Sequence, residues 1–165
     1  MPNLHLLKDQ LKTGLAVGSF IISLIALYYT GLNSYRQTRE SEMQLWSSLR
    51  HEFDYDLLKD RRDFANAFIE GKLEDHYTRV MDFFDTLGFL VKTKRVDPDL
   101  FINTWGYYFS GYYQATKSYI EEDVKKDPAT YSGVIYLAKR FSMSPELQKP
   151  DDIKTFFEDE QGLPK

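Results

Sequence analysis

From Thr13 to Tyr35 the chain runs 23 residues without a charge, flanked by Lys12 and Arg36. Its core, Leu15–Tyr29, reads LAVGSFIISLIALYY. A helix rises about 1.5 Å per residue, so roughly 20 such residues cross a hydrocarbon layer about 30 Å thick. Tyr28, Tyr29 and Tyr35 gather at one end, where amphipathic rings settle among lipid headgroups. The stretch predicts a single transmembrane helix over 13–35. A cleaved secretory signal fits less well, because no A-x-A-like site follows.

That span divides the chain into a short N-terminal segment 1–12, the helix 13–35, a helical domain with a stalk over 36–145 and an acidic tail over 146–165. Lys8 and Lys12 stand on one flank and Arg36, Arg39 and Arg50 on the other, so the positive-inside rule is nearly balanced. A twelve-residue N-terminus is easily translocated, and the chain has no N-x-[ST] sequon and no cysteine. The soluble domain is therefore expected on the cytoplasmic side of a cell membrane. Gly14 and Gly18 form a G-x-x-x-G, and Ser19 and Ser23 repeat that spacing. Small residues at i and i+4 let two helix backbones approach closely in lipid, which makes these four candidate helix–helix contacts.

Beyond the span the pattern is helical throughout. Leu45, Trp46, Leu49, Phe53, Leu57, Phe64 and Phe68 recur mostly at steps of three, four or seven, predicting a helix from Arg36 to about Glu70, either unbroken or broken near Asp60–Asp63. Gly71 suits its C-terminus. Tyr77, Val80, Phe84, Leu87 and Val91 form a clean stripe in a second helix over 74–94. Asp97-Pro98 and Asp127-Pro128 each read as a capping aspartate followed by a proline in the first turn, starting helices at 98 and 129. Ser144-Pro145-Glu146 offers a third, shorter start. The tail holds six acidic and three basic residues around Phe156-Phe157, a short helix or a loosely packed arm. Together these predict an all-α chain: an N-terminal transmembrane helix continuing into a juxtamembrane stalk and a small antiparallel helical bundle.

The helix after Asp97 is rich in rings, with Trp105, Tyr107, Tyr108, Phe109, Tyr112, Tyr113 and Tyr119 interleaved with Gly106, Ser110, Gly111 and Ala115. One reading is a central core helix whose small-residue face admits a neighbour. The other is an aromatic-lined pocket or protein contact. Trp46 on the stalk and Tyr107 and Tyr113 on this helix are the candidate partner-binding rings.

The stretch Val80–Phe141 also carries a resemblance. F-F-D-T-L-G-F-L-V at Phe83–Val91 precedes a charged turn, the Val96-Asp97-Pro98 start, Trp105-Gly106-Tyr107-Tyr108, and a final Y-L-A-K-R-F at Tyr136–Phe141. With an N-terminal span and a juxtamembrane helix containing Trp46, the chain resembles the bacterial family called domain of unknown function 4760. The resemblance implies a helical protein of a bacterial inner membrane with no assigned activity, and it carries over no catalytic residues.

Chemistry is not written into the sequence. Without cysteine there is no thiolate nucleophile and no cysteine-ligated metal. His5, His51 and His76 lie on separate segments and complete neither H-E-x-x-H nor paired E-x-x-H. There is no G-x-S-x-G, P-loop or G-x-G-x-x-G. Asp82 and Asp85 share a helix face with Arg79 nearby, a solvent-side arrangement, and Lys59, Arg61 and Arg62 alternate with Asp60 and Asp63 as a mixed solvated face. A net charge of −4 argues against nucleic acid. The expectation is a non-enzymatic accessory, scaffold or interaction subunit without a cofactor. It would contact the lipid bilayer, and a protein partner or a second copy through its transmembrane and juxtamembrane helices. The alternative is a membrane-anchored ligand sensor or stress or phage-defence effector.

Overall fold

The computed structural model describes residues 3–73, 76–141, 144 and 147–163, with side chains described from Ser23 onward. Among the described residues every regular element is helical. The chain forms α1 (Asn3–His51), a π-helical turn (Glu52–Asp56), α2 (Leu58–Ile69), α3 (Thr78–Lys92), α4 (Pro98–Lys126), α5 (Ser132–Phe141) and α6 (Ile153–Gln161). Two compact units result, residues 1–45 and 46–165.

The first unit is α1 as far as Leu45. Its described side chains up to residue 44 are exposed except Leu32, including Leu24, Ile25, Leu27, Tyr28, Tyr29 and Tyr35. The backbone is helical across the whole expected span. Among the described residues, however, no helix is long and apolar enough to cross a membrane. Residues 13–22 of the expected span lie outside the described side chains.

In the second unit the stalk pattern breaks earlier than Asp60–Asp63. Leu57 N donates to Glu52 O at 2.8 Å, a π-type bond that inserts one extra residue and resets the helix before α2. Phe53 within this turn and Leu57 at its end are buried. α2 ends as expected at Gly71, whose φ of 71° is the left-handed conformation that glycine adopts without a steric penalty. In α3 the whole predicted stripe is buried: Tyr77, just before the first turn, then Val80, Phe84, Leu87 and Val91. Full burial of such an apolar side chain contributes about 1.5–3 kcal/mol. α4 begins where expected, with Asp97 Oδ1 accepting from Asp99 N at 2.9 Å and Leu100 N at 3.1 Å.

The start of α5 departs from its sequence signal. Asp127 Oδ1 does accept from Ala129 N at 2.9 Å, but residues 128–131 form a turn and Tyr131 sits at a φ of 54°. The helix starts at Ser132 instead. Its leading amides, Gly133 N and Val134 N, donate to Asp85 Oδ1 of α3 at 2.7 and 3.1 Å, so the cap comes from another helix. The possible start at Ser144-Pro145-Glu146 falls partly outside the described residues. In the C-terminal tail the short helix holds and is not loose: Asp152 caps α6, and Phe156 and Phe157 are buried in the same core. Gly111 of α4 makes room for this packing, because a Cβ there would lie 2.7 Å from the Phe156 ring.

Candidate functional site

Three polar constellations in the second unit go beyond packing. The first is a buried latch. Arg61 stands on the same stripe as Phe53, Leu57, Phe64 and Phe68, and only 4% of it is exposed, so it does not belong to a solvated face. Its Nε and Nη2 donate to Glu160 Oε2 and Oε1 at 2.8 and 2.7 Å, and Nη1 donates to Phe53 O at 3.1 Å. The Tyr112 hydroxyl donates to Glu160 Oε2. The guanidinium also lies 4.1 Å from the Phe53 ring centre, a cation–π contact. Burial works against its charge, but the hydrogen bonds and opposing charge of Glu160 outweigh that and raise its pKa. The latch ties α6 to α2 and α4. All three side chains are satisfied inside it, which makes it structural. Neighbouring Arg62 is half-buried, with Nε and Nη2 covered and without a hydrogen-bond partner among the described residues.

The second constellation is a half-open cleft of about 370 Å³ between α4, α5 and the connector that precedes α6. Its apolar side is Phe109, Ala138 and Leu147, and its rim carries Tyr113, Lys117 and Lys149. Phe109 is part of the core and stacks with Tyr113 at 5.6 Å and 15°. The Ser110 hydroxyl lies 2.9 Å from the carbonyl oxygens of both Tyr107 and Gln148, fastening the connector to α4. Burial, with the negative charge of Glu121, pushes the Tyr113 phenol up, so it stays a proton donor at neutral pH. Lys117 Nζ lies 3.9 Å from Glu121 Oε1 with both side chains exposed, a pairing of little energy. Lys149 enters no ion pair among the described residues. The lining thus presents Tyr113, Lys117 and Lys149, beside the Gln114 amide, above an apolar floor.

A third cluster joins the ends of α3, α4 and α5. Tyr77 stacks on Tyr119 at 5.4 Å and its hydroxyl donates to Asp123 Oδ2 at 2.5 Å. Burial first, and then the Asp123 hydrogen bond, raise the Tyr77 pKa. Burial and the charges of Asp82, Asp123 and Asp85 push Tyr131 up to about 12. Tyr112 is likewise raised, by burial and then by Glu160. A raised phenol pKa means that stability is fully present below pH 10 and is lost as pH rises, because the unfolded chain releases protons that the folded one keeps. Each such tyrosine should cost about 1.4 kcal/mol per pH unit between about pH 10 and 12. Absorbance at 295 nm should therefore show these phenols ionising together with loss of helix signal. Titration of all tyrosines near pH 10 with the helices intact would contradict it.

Of the residues predicted to meet a partner, Gly14, Gly18 and Ser19 lie outside the described side chains, and Ser23 is exposed on α1. Trp46 is half-buried, its ring centre 4.5 Å from that of Trp105. Tyr107 is exposed, edge-on to Phe156 at 5.5 Å, and Tyr113 forms one wall of the cleft. Trp105, Phe109 and Tyr112 are core, while Phe109 and Tyr113 also wall a cleft. The paired carboxylates separate in role: Asp85 caps α5, and Asp82 has its pKa raised by desolvation and then by the charge of Asp85. Among the described residues no group of three histidine, aspartate or glutamate side chains is placed to hold a metal. Lys117 and Lys149 were missed because only the fold brings them to one cleft. Arg61 was legible from its place on the apolar stripe.

No curated protein and no solved structure matches the chain. A family model described as a domain of unknown function (DUF4760) matches residues 14–141, which takes in most of the expected span, the latch residues Arg61 and Tyr112, and the α4 and α5 walls of the cleft. The chain belongs to that family.

Proposed function

We propose that this protein is a non-enzymatic, single-pass membrane protein that serves as an accessory or scaffold subunit of a membrane-associated assembly. The uncharged stretch 13–35 is its anchor, running on into a juxtamembrane stalk. The helical domain, a small antiparallel bundle on the cytoplasmic side, is its interaction module. The observation that carries this reading is the exposure of Leu24, Ile25, Leu27, Tyr28, Tyr29 and Tyr35 on α1. A continuous apolar surface of that kind is an aggregation liability in water and is satisfied in lipid.

Alkaline carbonate washing of membranes tests it. The parent chain should stay in the pellet. Ile25→Lys with Leu27→Lys puts two charges near the centre of the span, each costing about 2.5–3.5 kcal/mol, and should move much of the protein to the supernatant. Extraction of the parent like a peripheral protein would remove the anchor. Crosslinking in membranes then addresses the partner: Gly14→Leu with Gly18→Leu should abolish a crosslinked dimer, and an unchanged dimer would show that the glycines do not form the contact. The cleft favours a second reading, a membrane-anchored ligand sensor.

A further inference from the structure

We propose that the cleft between α4, α5 and residues 147–149 binds an anionic amphiphile, its charged head on the lysine–tyrosine rim and an aliphatic tail over Phe109, Ala138 and Leu147. The inference rests on the sensor reading and names its ligand class.

Three observations lead there. The first is charge. In a chain of net charge −4, this rim concentrates Lys117 and Lys149 beside a phenol that keeps its proton. All three are donors, and a carboxylate or phosphate is the acceptor that satisfies them together. Neither lysine is strongly committed: Lys149 has no ion pair among the described residues, and Lys117 is 3.9 Å from the exposed carboxylate of Glu121. The second is size. About 370 Å³ lies at the small end of the range for small-molecule sites, enough for a single short chain but small for a two-chain lipid. The third is the shape of the wall. Phe109 and Tyr113 stack on each other at 15°, and Phe109 is further held edge-on by Phe84 and Phe101. The rings are spent on one another, so no slot between parallel faces remains for a planar base. The half-buried Tyr113 ring and Ala138, backed by the nearly covered Phe109 and Leu147, leave an apolar surface suited to methylenes.

A free fatty acid and an alkyl phosphate share this chemistry, and the experiment separates them. The full chain in phosphatidylcholine nanodiscs is titrated with carboxyl-labelled octanoate, octyl phosphate and octanol, followed by NMR, with empty nanodiscs subtracted for partitioning. If the chain purifies without lipid, the same titration runs in buffer. Saturable binding of octanoate or octyl phosphate is expected, and the tighter of the two identifies the head. Octanol should bind at least about tenfold more weakly, since it forfeits the charge-assisted hydrogen bonds. Decanoate should bind roughly tenfold more tightly than octanoate through its two extra methylenes. Lys117→Ala with Lys149→Ala should weaken the anions about tenfold and leave octanol unchanged. Ala138→Trp should block all the probes, with an unchanged melting temperature showing that the fold survives. Octanol binding as tightly as octanoate would overturn the anion assignment while leaving a ligand cleft. No saturable binding by any probe would overturn the cleft itself, and the sensor reading with it.

Discussion

Arg61→Ala should destabilise the second unit by about 3–5 kcal/mol, a large part of what holds a domain of this size folded. The ion pair is not a strong source of stability in itself, since desolvating two charges costs nearly as much as their attraction returns. The loss comes from what is left behind. Glu160, 4% exposed, would keep its charge with only the Tyr112 hydroxyl to meet it, and the Phe53 carbonyl would lose its donor. α6 should come away first, because Phe156 and Phe157 are its remaining hold on the core. Thermal unfolding and limited proteolysis near Ile153 would show this. Replacing the group as a whole, with Arg61→Met, Glu160→Leu and Tyr112→Phe, should cost far less than the single change, because no charge is then stranded and only the Phe53 carbonyl loses a donor. A cost for Arg61→Ala below about 1 kcal/mol would mean that water reaches the pair, as at an exposed salt bridge.

The latch also shows where reading the sequence succeeds and where it stops. The stripe of α3 and the Asp97-Pro98 start were legible because both are local. A buried face writes itself at helical spacing, and a cap binds amides two and three residues on. Arg61 carried a local signal too, four residues after Leu57 and three before Phe64, but the neighbouring Lys59, Asp60, Arg62 and Asp63 made the segment look solvated. Its partner Glu160 is 99 positions away, and nothing local announces a carboxylate that will be buried. The start of α5 was misplaced for the same reason. The chain does have a capping aspartate at 127, but the one that caps the helix is Asp85, 48 positions before the Gly133 amide it accepts from. The π-turn and the two cleft lysines likewise depend on which elements meet. Distance along the chain, rather than weakness of the physical signal, separates what could be read from what could not.

Gly88→Ala should cost about 3 kcal/mol, against the general rule that alanine improves a helix by about 1 kcal/mol over glycine. α3 and α5 meet backbone to backbone at this point. A Cβ on Gly88 would overlap the carbonyl of Gly133, and a Cβ on Gly133 would overlap the carbonyl of Asp85. No rotamer relieves a clash with main chain, so the two helices must move apart, and such overpacking costs about 1–3 kcal/mol before anything else is lost. Separation also stretches the hydrogen bonds from Gly133 N and Val134 N to Asp85, each worth about 1.5–3 kcal/mol when the acceptor is charged. Gly133→Ala should behave alike. The double variant should cost less than the sum, since one displacement accommodates both methyl groups. Gly162→Ala is the control: a Cβ there would make only ordinary contact at 3.5 Å, and its effect should stay within about 0.5 kcal/mol. The consequence reaches the cleft, because α5 supplies Ala138 to its wall. An α5 displaced from α3 should weaken octanoate binding even at temperatures where the variant remains folded. Unaltered stability and binding in Gly88→Ala would show that the two helices tolerate a wider separation and that the cleft does not depend on their close approach.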